Sequence, residues 1–534
     1  MRLVKWISGQ FRDRAVAQNG GAVPAASLAR GDDTVAQELF EAGRAAFANG
    51  NLEHASIKLN AVLDIRFDHA DAYYYLGLSN IQQGHLGDAS ECLVLAAQFK
   101  PDFPEAYYHL GLVYRQQHDY AAAARCFTQA VKFRDNYCQA HNNLGYTLIN
   151  DLEEYERGAR HIEIAMGLRP HDPDVMCNYS ALLLNRGFPE DALRYCDKVL
   201  ALHGELHEVR LNRAMAALKL GQFTKAWTDY ESRKHTKGNY IPRDFGFPEW
   251  NGESLQDKSI LVYAEQGLGD QIMFASCLPD LMQRASHCVI ECSPQLVRLF
   301  RRSFPAATVL PSGQVCEAPA ILAQPGQVHF QTTIGSLPRF FRTDIASFPS
   351  RRGYLMADPA RIEYWSHRIA KIAPGSKIGL SWRGGAASTR RALRSIALAD
   401  LQPILDVECC GFFSVQYGDV QAELSALEGK RSTNVQHYQD AIDDYDETAA
   451  FICALDMVIS VQTAVVHLAG ALGRPTWALL PVVPEWRYQQ SGAAMPWYPS
   501  VRLFRQSRAD HWQPVIREVA TELESLVRSR GHAG

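Results

Sequence analysis

The chain has 534 residues, more than one ordinary hydrophobic core accommodates, so two or three domains are expected. Hydrophobic residues make up 47% of the chain and charged residues 21%, which is typical of a soluble globular protein. The net charge of −4, without a basic stripe interleaved with aromatics, gives no reason to expect nucleic acid, and no apolar run reaches the roughly 18 residues of a membrane span.

The first 34 residues form a polar, Gly/Ala-rich tail. Its opening stretch MRLVKWISGQFRDR carries Leu3, Val4, Ile7 and Phe11 at helical spacing, but it lacks the apolar core and the small-residue cleavage site of a signal peptide. We expect a short docking helix there, with contact to a membrane surface as the alternative.

Cysteine usage indicates the compartment. The twelve cysteines are scattered, and no two of them form a Cys-x-x-Cys pair. Cys288 and Cys292 lie close together, but within an apolar stretch that is typical of a strand. Such cysteines behave as small hydrophobic residues in a reducing environment. We therefore expect a cytoplasmic protein.

A 34-residue period runs through the first half of the chain. Small residues recur in two series, Gly43, Gly77, Gly111, Gly145, Ser180, Ala214 and Ala55, Ala89, Ala123, Gly158, Ala192, Ala226. The pattern resembles the tetratricopeptide repeat, a helix-turn-helix unit that needs small residues where its two helices cross and that buries its apolar face on its neighbours. The sequence therefore predicts an α-solenoid of six repeats over residues 35–234.

One position in each of five repeats is a candidate for peptide binding. It lies two residues before the small residue and is occupied by Tyr75, His109, Asn143, Asn178 and Asn212. In the peptide-binding arrays that this one resembles, that position faces the groove, and an asparagine there can both donate to and accept from a peptide backbone. We expect these five residues to bind a polypeptide acceptor, although they could be ordinary exposed polar positions.

The second half of the chain alternates strand-like and helix-like segments. A polar segment over residues 235–257 reads as a linker. The apolar runs SILVYA, HCVIEC, ATVLP and VHFQTT follow, and then KIGLSW, GFFSVQY, DMVISV, TWALLP and VRLFR. Strands that alternate with helices favour parallel sheets. We predict two Rossmann-like domains, residues 258–350 and 351–530, with a cleft between them.

Two turns at strand ends carry the chemistry. In AEQGLGDQIMF the strand turns through two glycines and presents Asp270 at the start of a helix, where the aspartate could also be a simple helix cap. In SVQTAVVHLAGALG a helix begins after Gln462, and Thr463 and His467 share one face of its first turn. The free N–H groups and the positive dipole end of such a helix make a phosphate site.

These motifs, with GLSWRGG, RSIALADLQPIL and PEWRY, resemble bacterial glycosyltransferases of GT-B fold. They are similar to the heptosyltransferase-like domains fused behind tetratricopeptide arrays in flagellin glycosyltransferases, and the architecture resembles that of the protein O-GlcNAc transferases. The resemblance implies a nucleotide-sugar co-substrate held mainly by the C-terminal half, no metal, and Asp270 as the general base of an inverting transfer. Gln462 departs from the family, which often carries Asp there.

Further donor contacts are predicted around these turns. Arg383 and Arg390 are candidates for the phosphates, unless they belong to a solvated basic loop. Gln416 ends a strand, where it could contact the nucleotide or serve as a structural amide. The resemblance makes Glu447 and Thr448 ribose or phosphate contacts, with helix capping as the alternative. The full set of expected donor contacts is Gly267, Gly269, Arg383, Arg390, Gln416, Glu447, Thr448, Thr463, Ala464 and His467.

The function that follows is a protein glycosyltransferase. The repeats would hold a polypeptide, with flagellin as the first candidate, and the second half would transfer sugar to its Ser or Thr hydroxyls. Two alternatives stay open: a non-catalytic scaffold with a degenerate transferase half, and a transferase that acts on a lipid or saccharide. The sequence gives neither the sugar nor the nucleotide.

Overall fold

The computed structural model of the chain describes residues 30–236, 243, 245–313, 328–372, 375–385, 390–427, 435–509 and 511–531. The docking helix expected near the N-terminus lies outside these residues. The chain forms two compact units, Met1–Thr147 and Leu148–Gly534. The division falls inside the repeat array, so the last repeats belong to the same unit as the α/β region.

The predicted helical repeat array is confirmed. Its helices follow one another in antiparallel pairs, and each pair corresponds to one period of the sequence. They are α1 Arg30–Ala48, α2 Leu52–Ile65, α3 Ala70–Gln82, α4 Leu86–Phe99, α5 Pro104–Gln116, α6 Tyr120–Phe133, α7 Cys138–Asn150, α8 Tyr155–Leu168, α9 Pro173–Asn185, α10 Pro189–His203, α11 His207–Lys219 and α12 Phe223–Tyr230.

The small residues of the period permit close helix crossing within each pair. A Cβ atom added to Gly77 would lie 2.7 Å from Cγ of Leu93, and one added to Gly111 would lie 2.6 Å from the Phe127 ring. Real side chains do not approach so closely, so these positions exclude any larger residue. The turns are set by local chemistry, as at Asp119, which accepts a hydrogen bond from the Ala122 N–H and caps α6.

The first part of the α/β region is a small parallel sheet. Its strands are β1 Ser259–Tyr263, β2 His287–Cys292, β3 Thr308–Pro311 and β4 Phe330–Thr333, in the order β3-β2-β1-β4. All three pairings are parallel. The helices that accompany it are α13 Leu268–Phe274, α14 Leu278–Met282, α15 Val297–Ser303 and α16 Pro338–Phe341.

The second part is built on a seven-stranded sheet of order β10-β11-β9-β8-β5-β6-β7, in which only β10 and β11 pair antiparallel. Its strands are β5 Ser376–Ser381, β6 Cys410–Ser414, β7 Val435–Gln436, β8 Met457–Val461, β9 Thr476–Leu480, β10 Ala494–Met495 and β11 Tyr498–Arg505. Its helices are α17 Pro359–Ala370, α18 Arg391–Arg394, α19 Gln402–Leu405, α20 Gln421–Ser425, α21 Gln439–Ile442, α22 Tyr445–Ala454, α23 Ala464–Ala471 and α24 Gln513–Gly531.

The two sheets are held together by helix contacts. Helix α13 packs on α23. Arg302 of α15 makes a bidentate ion pair with Asp446 of α22, with nitrogen–oxygen distances of 2.7 and 2.8 Å. Two parallel bonds fix the relative orientation of two planar groups better than a single contact does. The edges of the two sheets are therefore held in a defined relation.

The last repeat is anchored in the same core. Trp227 of α12 is fully buried, and its indole N–H donates to the Arg342 carbonyl at 2.7 Å. Just after α12, the buried Arg233 donates to the buried carboxylate of Glu265 at 2.6 Å. A buried charge needs such a partner, because desolvation is costly. None of the helices in the described ranges is long and apolar enough to cross a membrane.

Candidate functional site

The turn after β1 presents Asp270. Helix α13 begins at Leu268, and Gly267 occupies the N-cap position. Gly267 is exposed at the turn and does not line the cavity described below. Asp270 lies in the first turn of α13, and its carboxylate accepts a hydrogen bond from the Arg487 guanidinium. The alternative that Asp270 caps a helix beginning at Gln271 is therefore wrong, since its side chain is committed to a different partner.

The turn after β8 presents Thr463 and His467. The Thr463 hydroxyl accepts a hydrogen bond from the Val465 N–H at 3.1 Å and caps α23. His467 is buried, and its Nδ1 lies 3.1 Å from the Tyr498 hydroxyl. Burial, together with the nearby charge of Arg487, lowers the pKa of His467 to about 3, so the imidazole is neutral at physiological pH.

The two turns meet at one cavity of about 260 Å³. Its lining residues follow the carboxyl ends of β1, β5, β6, β8 and β9, the edge at which parallel α/β sheets bind ligands. Gly269 makes the approach of α13 to α23 possible, because a Cβ atom there would lie 3.2 Å from Cδ2 of His467. The cavity is lined by Gly269, Asp270, Gly385, Arg394, Tyr417, Gln462, Thr463, Ala464, His467, Glu485, Arg487 and Tyr488.

Four charged side chains form one network in this cavity. Arg487 bridges Asp270 and Glu485, and Glu485 also pairs with Arg394. Burial raises the pKa of Asp270 above its ordinary value, and the Arg487 charge opposes that shift. The Asp270 side chain is 19% exposed and that of Arg487 14%, so solvent screens the pair only in part. The network holds a carboxylate whose basicity depends on where Arg487 points.

Gln462 is the second unusual feature of the cavity. The residue is only 2% exposed. Among the described residues, neither its amide oxygen nor its amide nitrogen has a hydrogen-bond partner. Leaving a buried donor and acceptor unpaired costs roughly 1–3 kcal/mol each, and native proteins rarely do so without cause. The departure noted in the sequence therefore places an unsatisfied amide on the wall of the cavity.

Gln416 is placed in a different role from the expected nucleotide contact. Its Oε1 accepts hydrogen bonds from the Ser381 hydroxyl at 3.1 Å and from the backbone N–H groups of Trp382 and Arg383 at 2.9 and 2.8 Å. Its Nε2 donates to the Tyr417 carbonyl at 3.1 Å. Since the amide is saturated by protein groups and lies outside the cavity lining, the structural alternative describes it.

The two arginines expected at the phosphates also have protein partners. Arg383 donates to the Asp419 carbonyl at 2.7 Å and ion-pairs with Glu423. Arg390 adopts a left-handed backbone conformation with φ of 59° and donates to the Asn185 carbonyl at 3.3 Å. Neither residue lines the cavity that contains Asp270. Its cationic lining comes from Arg394 and Arg487 instead.

Glu447 and Thr448 lie in α22, away from the cavity lining. Glu447 accepts hydrogen bonds from Arg361 at 2.8 Å and from the Trp365 indole at 2.9 Å, and so ties α22 to α17. The Thr448 hydroxyl donates to the Ala441 carbonyl at 2.7 Å. The cap of α22 is a neighbouring aspartate. Both residues therefore serve helix packing rather than the expected ribose or phosphate contact.

The candidate peptide-binding residues of the first unit are engaged with their neighbours. Tyr75 of α3 packs edge-on against Phe40 and Phe47, with ring centroids 5.8 and 5.6 Å apart. His109 of α5 packs against Tyr74, and burial lowers the pKa of its imidazole to about 4. These two rings contribute to packing between repeats.

Asn143 of α7 is also bonded within the first unit. Its Oδ1 accepts from Arg115 at 3.2 Å, and its Nδ2 donates to the Gln139 carbonyl at 2.9 Å. A peptide backbone could bond to the Asn143 amide only after Arg115 or the Gln139 carbonyl had been displaced. Asn143, one of the asparagines expected to bind a peptide, therefore already uses its amide donor and its amide acceptor within the protein.

The two remaining asparagines belong to the second unit. Asn178 is half-buried on α9. Asn212 of α11 donates to the Ser180 hydroxyl at 2.8 Å. Asn212 also lines a second cavity, of about 390 Å³, between helices α9 and α11 and the loop after β9. That cavity is lined by Ile149, Asn150, Ala181, Leu184, Asn185, Asn212, Met215, Lys219, Arg390, Leu393, Arg394, Gln462, Pro481, Val483, Pro484, Glu485, Trp486 and Arg487.

The second cavity adjoins the first. Arg394, Gln462, Glu485 and Arg487 line both. A ligand bound against the last repeats would therefore be separated from the Asp270 cavity by only these four side chains. In this unit the cavity against the last repeats and the Asp270 cavity therefore share part of one wall.

Sequence reasoning missed the charged half of the site. The loop PEWRY, named from the sequence only for its resemblance, supplies Glu485 and Arg487 of the charge network. Arg394 is not among the predicted donor contacts, yet it completes the network through Glu485. The presence of two charged residues, Glu485 and Arg487, within the motif PEWRY was the feature of the sequence that could have indicated them. Within the described ranges, no cluster of three or more His, Cys, Asp or Glu side chains is arranged to hold a metal ion.

Comparison with known proteins adds to the description of the array. The family model for the tetratricopeptide repeat matches residues 104–137, which contain α5 and α6. The chain is 30% identical to Protein FlbA of Caulobacter vibrioides over 383 residues, 68% of this chain and 63% of that protein. The chain thus spans less than two thirds of the length of that relative.

Several solved structures are similar to part of the chain. One is pilF of Pseudomonas aeruginosa, with 19% identity and a TM-score of 0.34, covering 39% of this chain and 93% of that one. Another is YrrB, described as a TPR protein with an unusual peptide-binding site, with 17% identity, a TM-score of 0.29 and coverage of 37% and 94%. These TM-scores are too low to say more about this chain.

Proposed function

We propose that the protein is a GT-B glycosyltransferase that moves a sugar from a nucleotide-sugar to Ser or Thr hydroxyls of a polypeptide bound by its repeats. One observation carries the proposal: Asp270, at the edge of one parallel sheet, and the Thr463–His467 turn, at the edge of another, line the same cavity. Ligand sites of parallel α/β sheets form at such carboxyl edges.

The donor diphosphate belongs at the start of α23. The helix that Thr463 caps presents the positive end of its dipole there, which favours an anionic group. If the Tyr498 hydroxyl donates to Nδ1 of His467, the other ring nitrogen carries a proton and donates to a phosphate oxygen. Arg394 and Arg487 line the same cavity, and by exchanging their carboxylate partners for phosphate oxygens they would neutralise the diphosphate without a metal ion.

The chemical step is a single displacement. The acceptor oxygen forms a bond to the anomeric carbon, and the bond from that carbon to the phosphate oxygen breaks, with its electron pair passing to the leaving nucleotide. The hydroxyl proton passes to the Asp270 carboxylate, which burial makes more basic than an exposed aspartate. When Arg487 turns toward the diphosphate, it stops stabilising the Asp270 carboxylate, and the base strengthens as the donor binds.

Gln462 supports a bound ligand with polar edges. Its unpartnered amide offers a donor and an acceptor at the wall shared by the two cavities. Sugar hydroxyls present both kinds of group, so a sugar at this wall would satisfy the amide. The acceptor would approach through the second cavity, past Asn212. Tetratricopeptide repeats generally bind peptides, and flagellin is the acceptor that the sequence resemblance suggests.

A thermal-shift panel of UDP-, ADP-, GDP- and CMP-sugars tests the proposal. At a ligand concentration of about 100 times Kd, binding stabilises the folded protein by about 2.7 kcal/mol. We expect one nucleotide class to raise the midpoint of wild type but not of His467→Ala, because the imidazole lines the phosphate end of the cavity. No response to any nucleotide-sugar would contradict the proposal and favour the non-catalytic scaffold.

A further inference from the structure

The second cavity carries more positive charge than its single carboxylate can balance. Four cationic residues line it, Lys219, Arg390, Arg394 and Arg487, and among the described residues Glu485 is the one acidic side chain on its wall. The two carboxylate oxygens of Glu485 are already used, one by Arg394 and one by Arg487. Arg390 is bonded to Asn185.

Two cations of this wall have no ion pair among the described residues: Arg390, which bonds the neutral Asn185, and Lys219. Lys219 is 7% exposed at the end of α11. Within the described part of the chain, its ammonium group makes no ion pair. The charge of Glu485 acts on it from a distance, but the Glu485 carboxylate is bound to Arg394 and Arg487. Burial, and secondarily the charge of Arg390, lowers the pKa of Lys219 to about 8, which leaves it mostly charged at neutral pH. A buried unpaired ammonium is costly, and an anionic ligand would remove the cost.

The position of Lys219 indicates which substrate supplies that anion. It lies two helical turns after Asn212 on the same helix, so both side chains are on the repeat side of the second cavity. It does not line the cavity that contains Asp270, where the donor phosphates would lie. Apolar walls from Leu184, Met215 and Val483 surround it and fit the methylene groups of a side chain.

We propose that Lys219 binds the carboxylate of an Asp or Glu side chain in the acceptor polypeptide, close in sequence to the hydroxyl that receives the sugar. The inference rests on the proposed function and deepens it by naming a recognition element of the acceptor. Because the second cavity adjoins the Asp270 cavity through four shared side chains, the acidic residue lies within a few positions of the modified Ser or Thr.

Binding of labelled synthetic peptides to the full chain tests this. The probes are Ser-centred nonapeptides that carry one Glu within three positions of the serine, with matched peptides in which Glu is replaced by Gln. A charged hydrogen bond to Lys219 predicts roughly 10–100-fold tighter binding of at least one Glu peptide by wild type. Lys219→Met, which keeps the aliphatic stem, should lose the preference, and Lys219→Arg should retain it.

Equal affinity of wild type for Glu and Gln peptides, a Glu preference that survives in Lys219→Met, or no binding of either set would overturn the proposal. Calorimetry with nucleotides on the same variants covers the alternative source of the anion. If Lys219→Met weakens nucleotide binding instead, the ammonium serves the donor phosphate and the acceptor assignment is wrong. Since peptide binding needs no sugar transfer, failure of the proposed enzymatic activity would appear separately.

Discussion

Replacing Asp270 with asparagine separates catalysis from architecture at the candidate site. Asparagine has nearly the same shape, and its amide oxygen can still accept the hydrogen bond from Arg487. Arg487 also keeps its ion pair with Glu485. Because the original pair is partly exposed and one partner remains, we expect a loss of only about 1–2 kcal/mol in the free energy of unfolding.

The effect on rate should be much larger. An amide cannot take the proton of the attacking hydroxyl, and the loss of a general base typically costs about 10²–10⁴-fold. That corresponds to about 2.7–5.4 kcal/mol in the activation barrier. Donor binding should be retained or tightened, because the phosphate end of the cavity lies at Thr463 and His467 and Arg487 leaves an amide more readily than a carboxylate.

The assay is single-turnover transfer at saturating donor, together with calorimetry of donor binding and a thermal midpoint. Asp280→Asn is the matched control, since Asp280 is an ion-paired aspartate on the next helix, bound to Arg342 at 2.8 Å and outside the cavity. Wild-type activity should rise with pH through the raised pKa of Asp270, and the variant should lack that limb. A near-normal rate for Asp270→Asn would leave the residue as a partner of Arg487 alone.

Two further substitutions test the packing of the site. Gly269→Ala should lower the free energy of unfolding by about 1 kcal/mol and weaken donor binding, because its Cβ would lie 3.2 Å from Cδ2 of His467. Gly267→Ala is the control and should change neither, since the nearest contact of its Cβ is an Asp270 oxygen at 3.9 Å. Equal donor affinities of the two variants by calorimetry would refute the reasoning. Gln416→Leu should lower the free energy of unfolding by about 2–4 kcal/mol in denaturant titrations, because two backbone N–H groups lose their acceptor, and weaker donor binding by the folded variant would restore the nucleotide contact.

Regular local patterns made much of the fold predictable. The steps between Gly43, Gly77 and Gly111 identify where two helices cross, and the structure places Leu59, Leu93 and Phe127 against those glycines. The apolar runs of the second half became strands for a related reason, because a strand buried on both faces is apolar throughout. The two-residue strands β7 and β10 were missed, since so short a segment has no periodicity.

The site was harder to predict, because its partners are distant in sequence. Arg487 meets Asp270 across 217 residues, and no local spacing indicates that contact. Glu447 and Gln416 illustrate the converse error. Their residue types and positions suit ligand contacts. In the folded chain, however, the Glu447 carboxylate accepts from Arg361 and Trp365, and the Gln416 amide oxygen accepts from backbone N–H groups. Which buried polar groups already have hydrogen-bond partners can be read only from the three-dimensional structure.

The burial of Trp227 limits how the repeat array can be exchanged among relatives. This indole lies in one continuous core with Phe274, Trp486 and Trp497 of the α/β region. Exchange of the whole array by recombination at residue 234 would therefore cut through a core and produce chains that do not fold. Exchange within the first unit, with α7 kept whole, leaves that core intact. Residues of the first unit are thus free to vary, whereas the repeats that carry Asn212 and Lys219 must evolve together with the site they adjoin.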